Sequence, residues 1–136
     1  MGDELQLLER YLALMQIRMG ARLAFEIDVP QDLRALPFAP LLLQPLVENA
    51  IEHGLEPKAE GGRVCISAER RGPRVHVEVR DNGLGSAARN ANPSTDKGLG
   101  VANVRERLQA LWGPSAQMRI DLADNGCTAA LEFEAV

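Results

Sequence analysis

The chain has 136 residues, 46% of them hydrophobic and 25% charged, with a formal net charge of −4. That balance fits one globular domain with its own core and excludes an intrinsically disordered chain. The 15 basic residues are outnumbered by 19 acidic ones and form no tract interleaved with aromatics, so direct nucleic-acid binding is not expected.

The elements follow in chain order. Asp3 to Gly20 reads as a helix with Asp3 as N-cap and Gly20 as C-cap, and Leu5, Leu8, Leu12, Met15 and Met19 form one apolar stripe at heptad-like spacing. Such a stripe is either a plain packing face or a partner seam. Leu23, Phe25, Ile27 and Val29 alternate with polar or small residues, the pattern of a half-buried strand. Pro30, Pro37 and Pro40 bound a loop, and Leu41 to His53 forms an apolar helix with Pro45 in its first turn and Gly54 closing it. Strands are expected over Arg63 to Arg70 and, after the Gly72-Pro73 turn, through Val75, Val77 and Val79. Asp81 to Lys97 lacks periodicity and reads as a long mobile loop, followed by a helix from about Gly100 to Trp112. Strands at Ala116 to Asp121 and Cys127 to Glu134, turning at Asp124-Asn125-Gly126, complete the chain. The expected fold is a two-layer α+β sandwich, a mostly antiparallel sheet of about five strands with three main helices on one face.

No apolar run approaches ~20 residues, and Met1-Gly2-Asp3 has no signal-peptide profile, so the chain reads as cut from something longer. Cys65 and Cys127 are far apart and outside any C-x-x-C spacing, which points to neither a zinc site nor a disulfide framework.

Three motifs carry chemistry. In LLLQPLVENAIEHGL, residues 41–55, Glu48 and Asn49 interrupt an apolar segment, and His53 follows Asn49 by four residues on the same side of an α-helix. An unpartnered buried Asn costs ~1–3 kcal/mol, so a partner is required: an internal hydrogen bond, or a hard cation such as Mg²⁺ that prefers oxygen donors. In VEVRDNGLG, residues 77–85, Asp81 ends a strand and Gly83 and Gly85 follow. A turn explains Asp-x-Gly, but a carboxylate there can also accept from an adenine amino group while repelling the carbonyl of guanine, with glycines letting backbone approach the ring. In KGLGVANVRERL, residues 97–108, Gly98-Leu99-Gly100 at a helix start presents free N–H groups and the helix dipole to phosphate.

The order of these motifs resembles the signature of the GHKL superfamily, which includes DNA gyrase, MutL and bacterial sensor histidine kinases. LLLQPLVENAIEHG and GLGVANVRERLQALWG are similar to the LytS type of sensor histidine kinase, whose members pair with LytTR-type response regulators, and DELQLLERYLALMQIRMGARL is similar to the stretch that follows their phosphoacceptor helices. The resemblance implies a Bergerat fold with ATP and Mg²⁺ as ligands. It divides the chain into a leading helix, residues 1–20, and an ATP-binding catalytic domain, residues 21–136. Asn49 matches the Mg²⁺ ligand, with Glu48 and His53 beside it near metal and phosphates. Asp81 matches the adenine reader with Gly83 and Gly85 beside the base. Gly98, Leu99 and Gly100 match the phosphate loop, and residues 86–97 match the ATP lid, with Lys97 facing the triphosphate.

Two departures stand out: Asp96 occupies the place of a first lid glycine, and Gly126-Cys127-Thr128 replaces Gly-Thr-Thr, so that the hydroxyl for adenine either comes from Thr128 or is absent. In hydrolysing members a glutamate four residues before the metal asparagine activates water, and Pro45 holds that position here. Neither His53 nor His76 has phosphoacceptor surroundings. The chain is therefore expected to bind ATP without labelling itself, as the catalytic part of a histidine kinase whose substrate histidine lies on upstream dimerisation helices. The implied parent is a membrane-bound homodimer with this domain in the cytoplasm. An anti-sigma-type serine kinase and a non-catalytic nucleotide-binding module are the alternatives.

Overall fold

The computed structural model describes residues 1–36, 42–55, 58–84 and 96–134, the last stretch as backbone alone up to residue 102. Helix α1 (Gly2–Met19) begins directly after Met1, so Asp3 lies in its first turn and does not cap it. The Met1 ammonium donates to the Leu36 carbonyl at 2.7 Å instead. Gly20, at φ 66°, ends α1 where a residue with a Cβ is disfavoured. A 3₁₀ turn (Gly20–Arg22) leads into β1 (Leu23–Asp28). The stretch after Pro30, expected as loop, holds one short helix, α2 (Gln31–Arg34), which buries Leu33.

Helix α3 (Gln44–Asn49) has Pro45 in its first turn, where the missing N–H costs nothing, and continues as a π-helical segment, Ala50–Leu55. Strands β2 (Gly62–Arg71) and β3 (Arg74–Asp81) form a hairpin through Gly72 at φ 64°. Helix α4 (Asp96–Trp112), β4 (Gln117–Ala123) and β5 (Gly126–Glu134) follow.

The five strands form one sheet in the order β1-β2-β3-β5-β4. β1 and β2 pair in parallel because helical segments connect them, and the other pairs are antiparallel. This is the expected mixed, mostly antiparallel sheet.

Register sorts the side chains by face. Ile66 opposes Val79 and Val77 opposes Leu131, all buried, whereas the alternate residues Glu69, Glu78 and Arg80 belong to the other face. Leu8 of α1, Val47 of α3 and Leu108 of α4 join the buried face in one core. The α1 stripe Leu5, Leu8, Leu12 and Met19 is thus a packing face of this core. Trp112 stacks on Phe133 with ring centroids 4.3 Å apart, and the Arg105 guanidinium donates to the Met118 carbonyl at 3.2 Å, fixing α4 on β4 and β5.

If α1 belongs to the core, Leu8→Ala should lower the free energy of unfolding by ~2–5 kcal/mol, whereas Leu14→Ala, at 58% exposure, should change it by less than ~0.5 kcal/mol. Urea denaturation of the two variants checks this.

Candidate functional site

The period of β3 decides where Asp81 goes. Val75, Val77, Val79 and Asp81 share one face, the face buried under the helices, so the strand delivers a carboxylate to the end of an apolar row. Asp81 is only 5% exposed. Its Oδ1 accepts the Gly83 N–H at 2.9 Å. Burial pushes its carboxyl up from 3.8 to about 6, while the Gly83 N–H and the Lys58 ammonium pull it the other way.

Glycines make this placement possible. A Cβ on Gly54 would stand 2.7 Å from Asp81 Oδ1, and a Cβ on Gly83 would overlap the backbone of Gly54. The Leu84 N–H donates to the Gly54 carbonyl at 2.9 Å, locking the π segment to the chain leaving β3. Gly54 therefore does not close the helix as a C-cap. It lies inside the π segment, which runs on through Leu55, and the need for a glycine there is close approach. A Cβ on Gly126 would likewise overlap the Asp81 carbonyl.

Asn49 is the last residue of α3, half-buried, and its amide makes no hydrogen bond to any described residue. Glu48 beside it accepts from Gln44 Nε2 at 2.9 Å. His53 is half-buried, with Nε2 3.9 Å from a Glu52 carboxylate oxygen. The four-residue spacing of Asn49 and His53 assumed an α-helix. Residues 50–55 are π-helical, with bonds reaching five residues back, so His53 follows Asn49 on a wider helix than that spacing assumed. π insertions of this kind recur at functional sites.

The glycine motif departs further from expectation. α4 begins at Asp96, which makes Gly98 its third residue and Gly100 its fifth. The first-turn N–H groups that a helix leaves free thus include that of Gly98, whereas the ladder inside the helix takes up that of Gly100. The backbone of Lys97 and Leu99 lies in the same first turns. Gly85 and residues 86–95 of the expected lid lie outside the described residues.

Thr128 is not brought to Asp81. Register pairs Asp81 with Cys127 and Arg80 with Thr128, so the thiol-bearing residue stands beside Asp81 and Thr128 belongs to the opposite face. Sequence reasoning also passed over Lys58, which reaches the same strand end: its Nζ donates to the Asn82 carbonyl at 2.9 Å. Nothing in its local sequence marks it, because residues 58 and 82 meet only when β2 and β3 pair. His76 lies on the far face, buried, with Nε2 3.0 Å from Glu78 Oε1.

The chain thus carries a half-buried amide with no hydrogen bond to a described residue, a buried carboxylate at a glycine-lined strand end, and a helix start that bears the third motif. The comparisons agree with this set. The chain matches the family described as histidine kinase-, DNA gyrase B- and HSP90-like ATPase over residues 38–135, and it belongs to that family. It is 38% identical to the sensor histidine kinase BtsS of Escherichia coli over 114 residues, which cover 83% of this chain and 19% of that protein. It is 31% identical to the sensor protein LytS of Oceanobacillus iheyensis over 133 residues, 90% of this chain and 23% of that protein. The chain thus spans about a fifth of the length of these relatives. Its fold is that of the catalytic domain of histidine kinase ThkA, with a TM-score of 0.62 at 20% identity, covering 97% of this chain and 94% of that one. Among the described residues, no helix is long and apolar enough to cross a membrane.

The raised Asp81 carboxyl has a thermodynamic consequence. Below pH ~4 the group is protonated folded and unfolded; between pH ~4 and ~6 only the folded state retains the proton, so stability falls as pH rises through that window. Asp81→Asn removes the penalty and should make the protein more stable at pH 7, by up to ~3 kcal/mol, with the gain disappearing below pH ~4. Denaturation midpoints of wild type and variant from pH 3.5 to 8 check the prediction.

Proposed function

We propose that this chain is the ATP-binding catalytic domain of a sensor histidine kinase, transferring the γ-phosphoryl of ATP to a histidine on a separate helical domain. The observation that carries the reading is Asp81. A carboxylate buried to this degree has a high cost in a resting fold, and the cost is explained by a ligand that donates to it. The adenine amino group is such a donor, and the glycines at 54 and 83 let the π segment and the strand end close around the carboxylate that would accept from it. At neutral pH Asp81 lies above its raised pKa and is the acceptor that this contact needs.

The residues present fit the metal as well. The Asn49 amide is half-buried and makes no hydrogen bond to a described residue, and an amide oxygen is a donor that Mg²⁺ accepts. Bound there, Mg²⁺ would neutralise charge on the triphosphate. Asn49 would orient it with Glu48 and His53 alongside. The start of α4 would meet the phosphates through the free first-turn N–H groups of Lys97 and Gly98, with Leu99 and Gly100 in the turn that follows. Gly85 would complete the base site. Cys127 takes the place beside Asp81 that was expected for a hydroxyl from Thr128.

Transfer is favoured over hydrolysis because Pro45, at the start of α3, has no group to take a proton from water. His76 is buried against Glu78 on the far face and is no phosphoacceptor. Leu7, Leu14 and Ile17 are exposed on α1 outside the core stripe, which supports a further helical partner for residues 1–20, the dimerisation and phosphoacceptor helices of the same kinase. A solved relative, ThkA, is in complex with its response regulator TrrA. By the same reading, a response regulator, of LytTR type, would be the onward partner here, and the parent a membrane-anchored homodimer with this domain in the cytoplasm.

Two measurements test the proposal. Asn49→Ala should remove the Mg²⁺ dependence of ADP binding in calorimetry while leaving the denaturation midpoint within ~0.5 kcal/mol of wild type; equal affinity with Mg²⁺ would reject the metal role. Given γ-labelled ATP, the chain alone should neither label itself nor release phosphate above background. With a separate helical fragment bearing the phosphoacceptor histidine it should yield acid-labile phosphohistidine on that fragment, and weakly, because no tether raises the local concentration. Brisk phosphate release by the chain alone would make it an ATPase.

A further inference from the structure

The N-terminus of α3 is capped from 40 residues away. Leu43 occupies its N-cap position and has no side chain to accept the free N–H groups. The Glu4 carboxylate takes them: Oε2 accepts from Leu42 N–H at 3.3 Å, and Oε1 from Leu43 and Gln44 N–H at 3.2 Å each. Glu4 is 5% exposed, and the neighbouring Leu5 and Leu8, both buried, fix the turn of α1 that holds it. A carboxylate at a helix start is favoured by the dipole, and its charge strengthens each bond. The Met1 ammonium, donating to Leu36, holds the same end of α1.

Asn49 is the last residue of the six-residue helix so capped. Any shift of α1 along or about its axis therefore moves the first turn of α3, and a helix this short carries the shift to Asn49 and into the π segment that touches Asp81. Resting on the nucleotide-site reading above, we propose that Glu4 is a positioning residue for that site: its carboxylate couples the placement of α1 to the metal-binding amide of Asn49. The coupling runs through one buried carboxylate and one helix, and Glu4 itself touches no ligand.

The test uses the 136-residue chain. ADP affinity is measured by calorimetry with and without Mg²⁺ for wild type, Glu4→Gln, Asn49→Ala and the double variant, with Leu12→Ala as a core-destabilised control. Glu4→Gln keeps the side-chain volume and loses the charge. It should weaken Mg²⁺-dependent binding by about tenfold and Mg²⁺-independent binding by less than about twofold. In the Asn49→Ala background it should have no further effect on the Mg²⁺-dependent part, because the two act through one element. Glu4→Asp should restore part of the affinity. Leu12→Ala should bind as wild type does at a temperature where it is folded. Wild-type Mg-ADP affinity with Glu4→Gln, additive losses in the double variant, or an equal loss in the control would each overturn the assignment. If Glu4→Gln and Glu4→Asp both fail to fold, Glu4 is a stability residue and the assignment also falls. Absence of ADP binding by the wild type would instead reject the nucleotide-site reading, and the coupling with it.

Discussion

The contact between Gly54 and the Asp81–Gly83 turn is the constraint around which the rest of the structure is arranged. It requires the π segment to lie against the end of β3 at backbone distance, closer than any side chain permits. The sheet must therefore end there, α3 must stop being α-helical just before it, and Asp81 must be buried. A π segment inserts one residue more per turn than an α-helix, and here it delivers Gly54 and Leu84 to a 2.9 Å hydrogen bond. The consequence is a carboxylate removed from water and left short of donors. Gly83 supplies one N–H and Lys58 a more distant charge, and its pKa still stays raised. Such a group weakens the resting fold, and under the function proposed above a bound ligand would complete it.

The same contact separates what the molecule holds rigid from what it leaves to the ligand. The sheet, α1 and α4 form one core, with Trp112 on Phe133 and Arg105 on the β4 backbone closing the far side. Asn49 and Asp81 lie where helix and strand ends meet, on elements whose positions the core determines. Rigid elements place such groups more precisely than loops do. The Glu4 carboxylate extends that support one step outward, from the core helix α1 to the start of α3.

How much of this was legible in the sequence depended on whether the signal was local. The valines of β3 alternate, so the face carrying Asp81 followed from period two alone, and the LytS-like wording of residues 41–54 marked the helix holding Asn49. Local patterns also placed all five strands to within about two residues. What failed needed information from elsewhere in the chain. Thr128 was named because it carries a hydroxyl, but the β3–β5 register puts Cys127 opposite Asp81, and an offset of one residue changes the face. Gly54 read as a helix stop because a glycine after a helix is most often one; its actual reason, the carboxylate 2.7 Å from its missing Cβ, sits 27 residues away.

Glu4 shows the same limit at its extreme. In the sequence it is an acidic residue in the first turn of a helix, a common and weakly stabilising placement. The structure turns it inward, where its charge serves the N-terminus of another helix. A buried carboxylate without donors would be excluded from a core, but the backbone N–H groups of Leu42, Leu43 and Gln44 satisfy it. Each side solves the other's problem: α3 gains a cap that Leu43 and Pro45 cannot provide, and Glu4 gains the donors that allow burial. That mutual dependence makes the position of α1 and the onset of α3 a single structural variable. On the proposed reading, a nucleotide site built on α3 would inherit its geometry from a helix that does not reach it.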